Sequence, residues 1–154
     1  MIVEEMSGEE CRKLVGRAGI ARLGCSSQNQ PYVVPVFYAY EEEHIYVLST
    51  LGQKIQWMRS NPNVCIEVDE IKDQSHWESV VVNGRYREFA DPLDETEISR
   101  ARRLLSARHQ WWLNALAERR TKEEDLSINA LFFRIDIVSM SGLRTQSGIK
   151  GDAL

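Results

Sequence analysis

The sequence predicts a mainly β domain, α+β by content, with short helices set against a sheet. Three observations carry that expectation. Six segments, starting at Ile20, Tyr32, His44, Val64, Trp77 and Leu131, are rich in β-branched and aromatic residues. Helical spacing is confined to the stretch after Ser7, the one around Lys54 to Met58, and Asp94 to Arg120. The chain has 154 residues, 43% hydrophobic and 27% charged, which suits a single domain spanning 1–154 with a substantial core.

Taken in order, Ser7-Gly-Glu-Glu10 fits a capping box, and Cys11, Leu14 and Val15 then share one helical face before Gly16 and Gly19 end the element. Ile20 and Leu23 begin the first strand, and Ser26 to Gln30 is a polar turn. Tyr32 to Tyr40 forms the second strand. Pro35 lies inside it and cannot donate to a ladder, so it belongs at an edge or where the sheet opens. Glu41-Glu42-Glu43 makes a tight turn into the strand His44 to Leu48.

At the end of that strand Ser49 and Thr50 place two hydroxyls, Gly52 permits an unusual backbone angle, and Lys54 sits in the first turn of a helix that buries Ile55 and Met58. Hydroxyls, free helix N–H groups and an ammonium converge there, a combination that suits a phosphate. An ordinary strand-to-helix connection with solvated polar residues has the same spacing.

Asn61-Pro62-Asn63 stops this helix, and Val64 to Val68 starts another strand. Asp69 to His76 is charged and reads as a loop. Trp77 to Phe89 is strongly strand-forming, although the local chemistry of Asn83-Gly84 is that of a hairpin turn. In the segment Asp94 to Arg120, Asp94 and Glu97 are placed like a cap, and Ile98, Ala101, Leu105, Trp112, Ala115 and Leu116 keep helical spacing. Trp111 and Trp112 are adjacent, so one of them faces away from the sheet; covering a bound ligand is one role open to it, and a dimer interface is the expected place. Thr121 to Ser127 is a charged loop. In the last strand, Leu131 to Met140, Phe133, Ile135 and Ile137 occupy one face, with Phe132 and Val138 on the other. A polar tail runs to Leu154.

Several function classes are disfavoured. A net charge of −4 argues against a general nucleic-acid binder, and the cluster Arg100, Arg102, Arg103 and Arg108 is flanked by acidic residues. Met1 to Glu10 is acidic where a signal peptide would be basic and then apolar, and no apolar run approaches the ~20 residues of a membrane span. A cytoplasmic protein without a membrane partner is expected. Cys11, Cys25 and Cys65 are too widely spaced for a zinc or redox motif and read as buried thiols. His44, His76 and His109 are isolated, so no metal site is expected. No hydrolytic constellation or Gly-rich nucleotide loop stands out, and no catalytic residue is assigned.

Four stretches carry a family resemblance: GRAGIARLGC at Gly16 to Cys25, PYVVPVFYAYEEEHIYVLST at Pro31 to Thr50, GQKIQWMRSNPNVCIEVDE at Gly52 to Glu70, and FFRIDIVSMSGLR at Phe132 to Arg144. With WESVVVNGRYREF at Trp77 to Phe89 they span most of the chain, and Lys54 with Asn-Pro-x-Val is their most specific part. The order resembles the flavin-nucleotide-binding split-barrel superfamily that contains pyridoxamine 5′-phosphate oxidase, closest to its small members related to nitroimidazole-resistance proteins.

The resemblance implies a six-stranded antiparallel split β-barrel with flanking helices, binding FMN. Ser49, Thr50 and Lys54 would hold the phosphate with Gln53 as a neutral donor, and Val34, Pro35 and Val36 would line the flavin ring. A bulge at the barrel rim is an equally compatible reading of that proline. Trp77, Ser79 and Val80 would reach a flavin bound mainly by the neighbouring subunit, in a homodimer with its flavin sites at the interface. Family likeness also favours one long bent strand over Trp77 to Phe89, with a glycine bulge.

Two departures bear on the substrate. Gln53 stands where the oxidase pattern has an arginine, and the oxidase's arginine- and tryptophan-bearing C-terminal segment is missing, with Gly142 and Arg144 matching the more general family ending. The expected activity is therefore an FMN-dependent oxidoreductase acting on a small oxidised compound, a nitroaromatic or quinone, rather than on a vitamin B6 phosphate. The alternatives are a non-catalytic flavin carrier or sensor, and a relative that binds deazaflavin or haem.

Overall fold

Alternating apolar residues build the sheet, and one long strand closes it. The computed structural model describes residues 1–90, 94–108 and 130–146, with Thr50 and Ala130 described by their backbone. Its elements are β1 (Ile2–Glu5), α1 (Gly8–Arg17), β2 (Ile20–Ser27), β3 (Gln30–Glu41), β4 (His44–Thr50), α2 (Gln53–Ser60), β5 (Asn63–Asp73), β6 (His76–Glu88), α3 (Glu95–Ser106) and β7 (Ala130–Gln146). The expectations for His109, Trp111, Trp112, Ala115, Leu116, the loop Thr121 to Ser127 and the tail to Leu154 lie outside the described residues.

All pairings are antiparallel, in the order β1-β7-β4-β3-β2-β5-β6, and β7 also pairs with β6. That second pairing closes β7-β4-β3-β2-β5-β6 into the expected six-stranded barrel. Strand β7 does this by length: Ala130 to Asp136 pairs with β4, and Phe133 to Arg144 pairs with β6. Strand β1, absent from the sequence reading, adds to the end of β7 through Ile2–Gln146 to Glu5–Leu143. The β2–β3 hairpin turns on Gln28 and Asn29, both left-handed at φ 49 and 63, and the next hairpin on Glu42 at φ 58.

The barrel is split beside β3. Residues 30–37 of β3 pair with β2, whereas β4 pairs only with Tyr38 to Glu41. Pro35 stands in the half without a β4 partner, so its missing N–H costs no ladder bond on that side.

Inward-facing residues of every barrel strand share one core with Cys11, Leu14 and Val15 of α1 and Ile55 and Met58 of α2. A smaller cluster forms where α3 covers the outside of β3, β4 and β7 through Leu105, Phe37 and Ala39. The α1 capping box is present, with Ser7 Oγ accepting from Glu10 N–H at 3.2 Å. Among the described residues no helix is long and apolar enough to cross a membrane, and no three His, Cys, Asp or Glu side chains gather as for a metal.

Three expectations change. Asp69 to Asp73 is strand rather than loop, and the β5–β6 turn is confined to residues 74–75. The charges there face solvent and are paired, Arg17 with Glu70 at 2.8 Å and Glu78 at 2.6 Å, and Arg22 with Asp69 at 2.6 Å. Asp94 occupies the N-cap position of α3 without capping it, because its carboxylate accepts from Arg87 at 2.7 Å and from the Ala90 N–H at 3.0 Å. Gly52, at φ 175, is in extended backbone open to any residue, so no special angle is needed there.

Gly84 resolves the competing readings of Asn83-Gly84. It lies within β6, where the register against β7 shifts between Asn83 and Gly84. A Cβ on Gly84 would come within 2.5 Å of Ile135 Cγ2 and 2.7 Å of the Asp136 carbonyl oxygen. The glycine serves close approach at a bulge, and the strand runs through.

Candidate functional site

Helix α2 sets the site, and tertiary contacts set α2. Eight residues are too few to hold a helix in water alone. Ile55 and Met58 are fully buried, and the Trp57 ring packs edge-on against Tyr32 of β3 at 5.9 Å. At the C-terminus Asn61 donates its backbone N–H to Trp57 O at 2.8 Å, and its side-chain amide to Ser26 O at 3.2 Å. Arg59 Nε donates to Glu88 Oε2 at 2.8 Å. The helix start is thereby fixed at the end of β4, close to the split half of β3.

That start is open. Gly52 supplies no side-chain cap, the first turn carries no acidic residue, and a Cβ on Gly52 would meet nothing within 4 Å. Lys54, half-buried in this turn, has its pKa lowered from the ordinary 10.5 by burial, with Cys25 acting in the opposite sense. Among the described residues Cys25 is the titratable group that acts on it. Burial raises the pKa of the Cys25 thiol, while Lys54 lowers it. A half-buried ammonium near a neutral thiol, beside an uncapped helix start, is a donor set of the kind that suits an anion.

The structure brings some predicted residues together. Gln53 is the exposed first residue of α2, and Ser49 is half-buried where β4 ends opposite Leu131. Thr50 pairs with Ala130 at the same strand end, its side chain lying outside the description. On β3, Val34 is half-buried and Val36 buried, both packed into the core, while Pro35 faces out. The outward surface of this stretch is thus the proline ring and the backbone. The Tyr32–Trp57 contact places it beside α2, two residues or ~7 Å along the strand.

Trp77, Ser79 and Val80 lie elsewhere. Trp77 N–H donates to Thr145 Oγ1 at 2.9 Å, Ser79 Oγ to Glu67 Oε1 at 3.2 Å, and Val80 is fully buried in the barrel. Asn83, opposite Cys65, is six residues of β6 beyond Trp77, or ~20 Å in an extended strand. Within one chain these residues do not join the Lys54 group.

Sequence reading missed a groove of about 560 Å³ on the outside of the barrel, with Cys25, Tyr32, Val33, Cys65, Arg85 and Val138 in its lining. The register aligns Val33, Gly24, Cys65 and Asn83 in one row across β3, β2, β5 and β6. Gly24 leaves room for Cys65, since a Cβ there would stand 2.7 Å from Cys65 Sγ. Nothing in the linear sequence joins these residues until the strand order is known. Cys25 connects the groove to Lys54. Further along the same face Arg22 bridges Asp69 and Glu67, whose own pKa is raised by burial and by Asp69.

With that geometry in place, comparison with known proteins gives a family and a set of relatives. Residues 7–144 match the pyridoxamine 5′-phosphate oxidase family model. An uncharacterized protein of Rhizobium meliloti (strain 1021), RA0666, is 37% identical over 149 residues, which is 96% of this chain and 99% of that one. A solved structure described as a FAD-binding protein from Mesorhizobium loti is 39% identical, with a TM-score of 0.78 covering 95% of this chain and 100% of that one. A structure from Bacteroides thetaiotaomicron, named for 5-nitroimidazole antibiotic resistance, is 18% identical with a TM-score of 0.68 over 96% of this chain and 93% of that one, and speaks for the fold alone.

Proposed function

The chain belongs to the pyridoxamine 5′-phosphate oxidase family, and from that premise we propose that it is a homodimeric flavoprotein using its flavin to reduce a small oxidised compound. The observation that carries the reading is Lys54: a half-buried cation whose described titratable neighbour is a thiol, next to an uncapped helix start. Lys54, the first-turn N–H groups of α2, Gln53, Ser49 and Thr50 would hold the flavin phosphate, and the outward edge of Val34-Pro35-Val36 would lie along the ring. FMN was the expectation from the sequence. The Mesorhizobium relative is described as binding FAD, whose riboflavin phosphate is further linked in a pyrophosphate, so either flavin would present an anionic phosphate to Lys54.

When bound, flavin supplies hydride or electron transfer, and the chain's own residues bind and orient it. Gln53 in place of an arginine makes the phosphate site less positive than that of a vitamin B6 phosphate oxidase, so helix N–H groups carry more of the binding. That favours a nitroaromatic or quinone over a second phosphorylated molecule as substrate. The separation of Trp77 (~20 Å) and Ser79 (~13 Å) along β6 from the groove row at Asn83 supports a second copy as their route to the flavin.

The first test is a visible spectrum of the purified protein before and after adding FMN, with mass spectrometry of what denaturation releases. Lys54→Ala should lower flavin occupancy about tenfold, the loss of one charge-assisted phosphate contact, and Lys72→Ala, on β5, should leave it unchanged. Equal effects, or a colourless protein that FMN does not perturb, would remove the phosphate site. A flavin that binds but is never reduced by a nicotinamide donor would make the protein a carrier or sensor.

A further inference from the structure

We infer that the groove on the outside of the barrel is a second ligand site, apart from the Lys54 site, and that it takes a flat aromatic anion. Among the described residues none of α2 lines it, so the inference stands without the flavin reading. Its volume of about 560 Å³ falls inside the ~300–1,000 Å³ of small-ligand sites. Two outward rows that cross the strands form it. Val33, Gly24, Cys65 and Asn83 make one row. Pro31, Ser26, Asn63 and Arg85 make the other, two residues or ~7 Å further along each strand.

The first row is apolar at its ends and low in the middle. Gly24 puts no side chain between Val33, which is 67% exposed, and Cys65. At the far end Asn83 pairs with Ser139 and Gly84 with Ile137, so Val138 has no ladder partner on β6 and stands out, 69% exposed. Two valines this exposed, facing one depression, offer their surface to a ring. The second row supplies the charge. Arg85 is exposed and, among the described residues, makes no hydrogen bond, ion pair or ring contact. Asp136 lies opposite it on β7, yet that carboxylate accepts from Arg134 Nε at 2.6 Å. Arg22, Arg87, Arg134 and Arg144, the other arginines of the barrel strands, each hold a carboxylate. In a chain of net charge −4, Arg85 is thus an unclaimed guanidinium beside an apolar dip, and its planar fork suits a carboxylate or sulfonate. Asn63, its register partner, adds a side-chain amide on the same edge. A ring on the valine row with its anionic group toward Arg85 uses both rows at once.

The test measures binding of anilinonaphthalene sulfonate by equilibrium dialysis to the protein as purified, with and without added FMN. Arg85→Ala and Val138→Asn are compared with Arg103→Ala, which removes an exposed arginine of α3 outside the groove. Melting curves and sedimentation check that each variant keeps its fold and assembly. Wild type should bind one probe per chain, displaced by naphthoate at least about tenfold better than by the neutral naphthalene methanol. Arg85→Ala should weaken the probe about tenfold and Val138→Asn about fivefold, while Arg103→Ala and added FMN should leave its affinity unchanged. Absence of saturable binding to folded wild type would overturn the inference, as would equal displacement by the neutral ring or an Arg85→Ala affinity equal to that of wild type. Displacement of the probe by FMN would overturn it by placing the probe in the flavin site. Groove variants that change the oligomeric state would overturn it by showing that the groove is an interface between copies.

Discussion

Lys54 joins burial to charge in a way that makes its role readable by pH. Burial lowers its pKa below the ordinary 10.5 in the free protein. An anionic flavin phosphate beside it raises the value again, so the bound state holds its proton to higher pH. Linkage then fixes the sign: flavin affinity is full below the lowered pKa of free Lys54 and falls as pH rises through it toward the bound value. The phosphate of FMN is already doubly charged above its second pKa of about 6, and the phosphates of FAD have no second proton to lose, so neither confounds this window. We expect the flavin dissociation constant of wild type to begin rising below pH 10.5, as pH climbs through the lowered pKa of free Lys54. Lys54→Arg stays charged throughout and should show a flat profile, as should the weaker Lys54→Ala. A wild-type profile as flat as that of Lys54→Arg would mean that the ammonium does not meet the phosphate.

At the scale of elements, α2 shows what a sequence reveals and what it withholds. Ile55 and Met58 at helical spacing and the Asn-Pro stop were legible, because each is a local pattern. So was the α1 capping box, whose two hydrogen bonds span three residues. Asp94 and Glu97 had the same local signature, yet tertiary partners claimed them: Arg87 holds Asp94, and Arg134 at 2.8 Å holds Glu97. Asp69 to Asp73 misled in the opposite direction, since a charged strand is stable once its neighbour in the hairpin and the arginines across the barrel are known. The groove was illegible because its walls come from five strands and meet only through the register. For α2 the physical dependence is testable. Met58→Ala should destabilise the protein by about 2–5 kcal/mol and also weaken flavin binding, because the helix start moves with its anchor. Met58→Leu, of similar volume, should cost less than about 1.5 kcal/mol and spare binding. Urea unfolding and flavin titration report the two effects, and a destabilised Met58→Ala with full flavin affinity would separate the site from the helix.

At the scale of the whole molecule, the proposed homodimer has to bring residues from two ends of the barrel together. Trp77 and Ser79 stand near the tip of the β5–β6 hairpin, and Lys54 stands at the other end of the same strands. On the barrel face between them Ile20, Ile71, Val81 and Leu143 point outward and are exposed, around the ion-paired Arg22, Glu67 and Asp69. Their strands share this face, since Leu143 pairs with Ser79, Ile71 with Trp77, and Arg22, next but one to Ile20, with Glu67 opposite Val81. Antiparallel placement of a second copy on this face would carry its Trp77 toward the first copy's Lys54, completing two equivalent sites about a twofold axis. Val81→Arg puts a charge at the centre of that contact while leaving Lys54, α2 and the barrel core untouched. We expect the variant to sediment as a folded monomer and to lose most of its flavin, although every phosphate-binding residue remains. A folded monomer that keeps its full flavin content would show that one chain suffices for binding. A Val81→Arg dimer with wild-type flavin would move the interface to another face of the barrel.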